Sequence, residues 1–138
     1  MSSQSLKDDI ETDLVDRNPA LSVILAARDE ERSVNESVSS MLAQDYSGML
    51  EVIAINDGST DRTGEILDEL VTRFPDRLRV PNAESFPEGW LGKTYALYIG
   101  AAQATGEWLL FTDADVIFSA ETALIERCAT RSITNWIT

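Results

Sequence analysis

The sequence predicts an α/β fold whose mainly parallel sheet is covered by helices on both faces. Short apolar runs rich in β-branched residues alternate with stretches of helical periodicity through four rounds. Each run is apolar throughout rather than at every second residue, as a strand buried on both faces requires. The chain has 138 residues, room for one domain of about 100–200 residues and enough to hide about two-thirds of its unfolded surface.

Residues 1–18 are polar, hold five acids and two bases, and show no sustained apolar period. They predict a mobile acidic tail with a short helix around Ile10–Val15. The folded domain is expected over residues 19–130, with Pro19 at its start. Leu21-Ser22-Val23-Ile24-Leu25 fits a buried strand. Between Glu30 and Ala43, Val34, Val38, Met41 and Leu42 recur at helical spacing, with Asp29 or Ser33 as candidate caps. Glu51 to Asn56 is a second strand, and Asp57-Gly58-Ser59 forces a turn. Thr60 or Asp61 then caps a helix carrying Ile66, Leu67, Leu70 and Phe74, stopped by Pro75. Leu78 to Val80 is a short third strand. Residues 82–92, with Pro87, Gly89 and Gly92, predict a loop. Thr94 to Ala104 predicts a helix closed by Gly106. Trp108 to Thr112 is the fourth strand, ending at Asp113-Ala114-Asp115. A last helix is expected from about Glu121 to Ala129, and residues 131–138 form an unpatterned end.

Composition excludes several function classes. The 11 Lys+Arg stand against 24 Asp+Glu, a net charge of −13, which opposes nucleic-acid binding because affinity for a polyanion comes from cations that neutralise phosphates. Only Lys7 and Lys93 are lysines, and the other nine cations are arginines. Such acidity with scarce lysine suits a salt-adapted, halophilic protein as well as it suits an ordinary acidic surface. The single Cys128 forms no intrachain disulfide. The absence of His excludes a Cys/His zinc site and every His-based triad. No run approaches 18 apolar residues, so no transmembrane helix is expected, and the N-terminus lacks the basic start and apolar stretch of a secretory signal. A cytoplasmic location is expected.

In open α/β sheets, ligands bind beyond the carboxyl ends of the strands. The first strand runs into Arg28, Asp29 and Glu30, the second into Asn56 and Asp57, and the fourth into Asp113 and Asp115. Crowded carboxylates repel and need a cation or a hydrogen-bonding ligand. Asp113-Ala114-Asp115 alone reads more readily as a strand-to-helix turn; on this rim it reads as a site for a hard divalent ion and a sugar hydroxyl. Asp57 either stabilises its turn or accepts the N–H of a nucleobase. Glu88-Gly89-Trp90-Leu91-Gly92-Lys93 is a Gly-rich loop ending on the one lysine of the folded part, an arrangement suited to phosphate contact. It lacks the spacing of a Walker loop. Trp90 fits a lid or a core anchor. No G-x-G-x-x-G follows the first strand, against a dinucleotide cofactor.

Together these elements resemble the family 2 glycosyltransferases, inverting nucleotide-sugar enzymes of the GT-A fold. Leu21 to Glu31 is similar to the opening strand and its P-x-x-N-E-type segment. EVIAINDGSTD at residues 51–61 resembles E-V-I-V-V-D-D-G-S-T-D. PEGWLGKTYAL at residues 87–97 is similar to the G-W-x-G-K-x-x-A-L loop of a subgroup that often works on lipid or membrane-borne acceptors. TGEWLLFTDADV at residues 105–116 resembles the strand into D-A-D. Ala26 stands where Pro is usual, Asp29 where Asn is usual, and Asn56 replaces the first Asp of a D-D pair. Family members generally continue for another hundred or more residues, which carry the acceptor site, a catalytic Asp or Glu and often an R/Q-x-x-R-W segment. The resemblance therefore implies an incomplete GT-A fold and a general base beyond residue 138.

By resemblance, the nucleotide-sugar site comprises Ala26, Arg28, Glu30, Asp57, Lys93, Asp113 and Asp115. Asp57 would read the base, usually uracil, while Ala26, Arg28 and Glu30 frame the nucleoside. Lys93 would lie near the base or diphosphate, Asp113 near the ribose or metal, and Asp115 on Mn²⁺ or Mg²⁺ bridging the diphosphate of a UDP-sugar. The acceptor is expected to be a membrane lipid or a polysaccharide. A location at the inner membrane face is implied if a further part carries membrane helices. Surface left by a missing half would favour self-association. Two other readings stand beside this one. The first is a catalytically inactive, nucleotide-binding remnant that needs a partner half. The second is a nucleotidyltransferase, whose usual G-x-G-x-R opening has no counterpart in Ala26-Ala27-Arg28-Asp29.

Overall fold

A computed structural model of the protein describes residues 17–83 and 92–118, together with Asp9 and Thr12. Most of the expected N-terminal tail, most of the Gly-rich loop, the helix at 121–129 and the end at 131–138 lie outside the described residues. The elements are β1 (Leu21–Ala27), α1 (Val34–Leu42), β2 (Leu50–Asn56), α2 (Thr63–Arg73), β3 (Leu78–Arg79), α3 (Gly92–Gln103) and β4 (Trp108–Asp113).

The four strands form one sheet in the order β3-β2-β1-β4, and every pairing is parallel. In register, Ala26 of β1 lies between Ile55 of β2 and Asp113 of β4. Parallel strands need crossover helices, and these cover both faces. Val23, Leu25, Val52, Ala54 and Leu110 face one side, where they pack with Val34, Val38 and Met41 of α1 and Leu67 and Leu70 of α2. Ile24, Ile53 and Ile55 face the other side and meet Ala96 of α3, with Leu97, Ile99 and Phe111 half-buried around them. Alternate residues of one strand thus serve two cores, which is why the strands carry no polar face. Each fully buried Ile, Leu or Val contributes about 1.5–3 kcal/mol relative to exposure.

Two glycines set close approaches. A Cβ on Gly100 would come within 2.6 Å of Ile24 Cγ2 and Ile55 Cδ1, so α3 can settle on its face of the sheet only with glycine there. Gly106 does not close α3 as the sequence suggested: α3 ends at Gln103. Gly106 lies against β1 instead, where a Cβ would sit 2.6 Å from Ser22 N, and its own N–H donates to Ser22 Oγ at 2.8 Å.

Capping also differs from expectation. Ser33 does occupy the N-cap position of α1, but its side chain makes no cap bond, and Asp29 is not at the cap. Neither of the two candidates before α2 is its N-cap, which is Arg62 without a side-chain cap bond. Asp61, one residue earlier, accepts on Oδ1 from Thr63 N at 2.9 Å and from Thr63 Oγ1 at 2.5 Å. Thr60 is turned toward Asp29. α1 starts at Val34 rather than near Glu30, α3 starts two residues earlier than expected, and β3 is confined to Leu78–Arg79.

Candidate functional site

The order β3-β2-β1-β4 reverses direction at β1, because the chain runs outward through β2 and β3 and returns to the far side with β4. The carboxyl ends of β1 and β4 therefore flank a topological switch point, the general ligand position of open α/β sheets. The sequence places small or polar groups there, beginning with Ala26, which leaves space above the strand end.

Beyond β1 the chain turns through Asp29, which holds a left-handed φ of 52°, a conformation Asp tolerates better than most residues. Its carboxylate ties this loop to the one beyond β2. Asp29 Oδ1 accepts from Thr60 N at 2.7 Å, Thr60 Oγ1 at 3.2 Å and Asp61 N at 3.3 Å. Return bonds run from Asp29 N to Ser59 Oγ at 3.1 Å, from Glu30 N to Thr63 Oγ1 at 2.8 Å and from Glu31 N to Asp61 Oδ2 at 3.2 Å. Desolvation works upward on the Asp61 carboxyl, but donation from Thr63 and from the Glu31 N–H holds it below the ordinary range. Asp57 N donates to Ala27 O at 2.9 Å and Gly58 turns at φ 65°, which places the backbone of the buried Asp57 at the rim.

A cavity of about 290 Å³ opens between these loops and the first turn of α3, lined by Ala26, Arg28, Glu30, Asp57, Gly92 and Lys93. Five of the seven site residues expected from sequence thus share one cavity. Asp113 joins through Lys93, whose Nζ donates to Asp113 Oδ1 at 2.9 Å. Asp115 is not among the lining residues. It is exposed, on a turn in which Val116 N donates to Asp113 O at 3.4 Å and Ala114 is buried. Trp90 lies outside the described residues.

The donor set at the end of β4 suits a hard divalent ion. Among the described residues no group of three or more His, Cys, Asp or Glu is arranged to hold a metal. Mg²⁺-type ions, however, commonly take one or two carboxylates and complete their shell with water and substrate phosphate. Asp113 carries the Lys93 ammonium on one oxygen at 2.9 Å.

Sequence reasoning missed the Asp29 brace and a polar cluster at the opposite, amino-terminal end of the strands. There Glu51 accepts from Ser22 Oγ at 2.5 Å, Thr105 N at 2.7 Å, Thr105 Oγ1 at 2.9 Å and Arg79 at 2.5 Å. Burial acts to raise this carboxyl, yet the donors outweigh it and hold Glu51 at about 2, against an ordinary 4.5. A charged residue inside an otherwise apolar strand was the available signal. Among the described residues no helix is long and apolar enough to cross a membrane.

Residues 22–131 match the family model described as glycosyl transferase family 2. The 4,4'-diaponeurosporenoate glycosyltransferase of Staphylococcus haemolyticus is 36% identical over 105 residues, which cover 76% of this chain and 26% of that protein. Among solved structures, the mannosyltransferase PcManGT of Pyrobaculum calidifontis, in complex with GDP-Man and Mn²⁺, superposes with a TM-score of 0.68 at 29% identity. That match covers 78% of this chain and 31% of that one. TarS of S. aureus in complex with UDP gives a TM-score of 0.61 at 28% identity, covering 75% of this chain and 29% of that one. The chain spans about a quarter of the length of the curated relatives it matches.

Proposed function

The chain belongs to glycosyltransferase family 2, and on that premise we propose that it binds a UDP-linked sugar with Mn²⁺ or Mg²⁺ for inverting transfer to an acceptor hydroxyl. The observation that carries this reading is the switch-point cavity lined by Ala26, Arg28, Glu30, Asp57 and Lys93, with Asp113 tied to its edge. The nucleotide-sugar domain is assigned to residues 19–130, flanked by the acidic tail and the unpatterned end.

Each side chain has a task that its place supports. The Asp57 carboxylate accepts the imide N–H of uracil, while Arg28 and Glu30 frame the nucleoside above the small Ala26. Lys93 leaves Asp113 for the diphosphate, whose two phosphates it meets from the first turn of α3. Asp113 would take a ribose hydroxyl or a metal position, and Asp115 would be the metal ligand. The ion, when bound, supplies Lewis-acid stabilisation to the departing nucleoside diphosphate. The chain's net charge of −13 opposes the approach of a diphosphate, and such local neutralisation offsets it. Relatives solved with UDP and with GDP-Man and Mn²⁺ support the donor class. The loop resemblance at residues 87–97 and the diaponeurosporenoate relative support a lipid acceptor over a polysaccharide. With such an acceptor, work at the inner face of a membrane follows if a further part of the protein carries membrane helices.

Inversion also needs a base to activate the acceptor hydroxyl, and we assign none to the described residues. Since the chain spans about a quarter of its curated relatives, a second reading is a donor-binding module that needs a further part for transfer. Titration of the 138-residue chain with UDP, GDP and ADP in Mn²⁺ tests the main reading. UDP is expected to bind tightest, and failure of all three to bind contradicts it. Acceptor-dependent release of UDP at about 1 s⁻¹ or faster, the range of working enzymes, would eliminate the module reading.

A further inference from the structure

We propose that Ser37 and Ser40 of α1 are positioning residues that hold Asp115 where a nucleotide-bound metal needs it; this rests on the nucleoside-diphosphate reading above. Asp115 poses a physical problem. It is an exposed carboxylate on a turn beyond the last residue of β4, so the sheet does not fix it. Helix α1 does, because the segment 114–118 is bonded to its hydroxyls. Ser37 Oγ donates to the carbonyl oxygen of Val116, the residue next to Asp115, at 2.5 Å. Ser40 Oγ accepts from Phe118 N at 2.9 Å and donates its own proton to Ser37 O at 2.7 Å. Ser33 Oγ approaches Ala114 O at 3.5 Å, though it lies closer to Glu30 Oε2, at 3.2 Å.

Serines 33, 37 and 40 are spaced by four and three residues, which puts them on one side of the helix. Ser37 is completely buried, on a helix otherwise turned to the core with Val34, Val38, Met41 and Leu42. A buried serine is a poorer helix former than alanine and costs desolvation unless bonded. Here its bond goes to the segment carrying Asp115 rather than back into its own helix. Ala114, buried against the same core, and Phe118, also buried, pin the segment at two points. The two hydroxyls fix its backbone at Val116 and Phe118, just beyond the carboxylate. A metal ligand on a turn held this way pays less ordering cost on binding, the general gain from preorganisation.

The test is a set of titrations on the full chain, comparing parent, Ser37→Ala, Ser37→Thr, Ser40→Ala and Ser40→Thr. Each is titrated with UDP plus Mn²⁺, UDP without metal, and uridine, with thermal unfolding measured in parallel. Ser37→Ala and Ser40→Ala are expected to weaken Mn²⁺-dependent UDP binding by about 3–10-fold and leave uridine binding unchanged. The Thr variants, which keep the hydroxyl, are expected to recover most of the loss. Should Ser37→Ala fail to fold, the half-buried Ser40 pair decides. Lowered melting temperature with all three affinities unchanged would make the serines structural only and overturn the inference. A parent chain that binds UDP equally with and without Mn²⁺ would overturn the underlying metal reading instead.

Discussion

Lys93 Nζ on the first turn of α3 lies 2.9 Å from Asp113 Oδ1 at the end of β4, an ion pair laid across the switch point. Both side chains are about half exposed, so the pair adds only about 0–1 kcal/mol to stability. Its consequence is electrostatic and local. It keeps the one lysine of the folded part in a cavity that it shares with Arg28, Glu30 and Asp57.

Lys93→Met is therefore expected to weaken UDP binding by about tenfold in low salt, equivalent to about 1.4 kcal/mol. Uridine binding and thermal stability should stay close to those of the parent. Calorimetric titration at two salt concentrations checks this, since the Lys93 contribution should shrink as salt screens it.

Asp57 is buried at the rim, and its proposed partner is the base rather than the phosphates. Asp57→Ala is expected to cost about 1.5–3 kcal/mol, the range for a hydrogen bond to a charged group. Uridine and UDP should lose affinity equally, while the ratio of UDP affinity with and without Mn²⁺ should not change. A loss confined to UDP would reassign Asp57 to the phosphate end.

Glu51 sits at the amino-terminal end of β2, opposite the rim, and its bonds bear on stability. Its carboxyl lies at about 2, below an ordinary 4.5, so the unfolded chain binds this proton more readily than the folded one. The stabilisation is complete above about pH 4.5 and is lost as pH falls toward about 2. Glu51→Gln is expected to destabilise the fold by about 1–3 kcal/mol at neutral pH. Parent and variant should converge in urea unfolding as the pH is lowered through that window.

Thr112 presents the opposite case, because its Oγ1 is buried without a hydrogen-bond partner. Its neighbour across β1 is Leu25, and the site is apolar. Thr112→Val keeps the shape and the β-branching and removes the unsatisfied hydroxyl. The expected gain is about 1–2 kcal/mol in chemical denaturation, with UDP affinity unchanged.

Much of this architecture is legible in the chain. The unbroken apolar character of Leu21–Leu25 and of Val52–Ile55 indicates strands covered on both faces, and two cores do meet them. The polar residues past the ends of β1, β2 and β4 come together at one end of the sheet, since a parallel sheet puts all those ends on one side. Partnership stays hidden. Asp29 looks like a helix cap because local sequence offers a helix behind it, but its carboxylate serves Thr60 and Asp61, about thirty residues away. Gly106 looks like a helix stop because glycine follows helices so often, yet the close approach of Ser22 demands it. The serines of α1 give no sign of function at all, because their bonds run to a segment 78 or 79 residues downstream.

Whether the end of β4 is a metal-assisted diphosphate site is decided by calorimetric titration of UDP into the parent chain and Asp115→Ala, each with and without Mn²⁺. Mn²⁺ is expected to strengthen UDP binding to the parent by at least about tenfold, a difference of about 1.4 kcal/mol, and Asp115→Ala to abolish most of that gain. Equal Mn²⁺-dependent affinity in the two proteins would contradict the assignment.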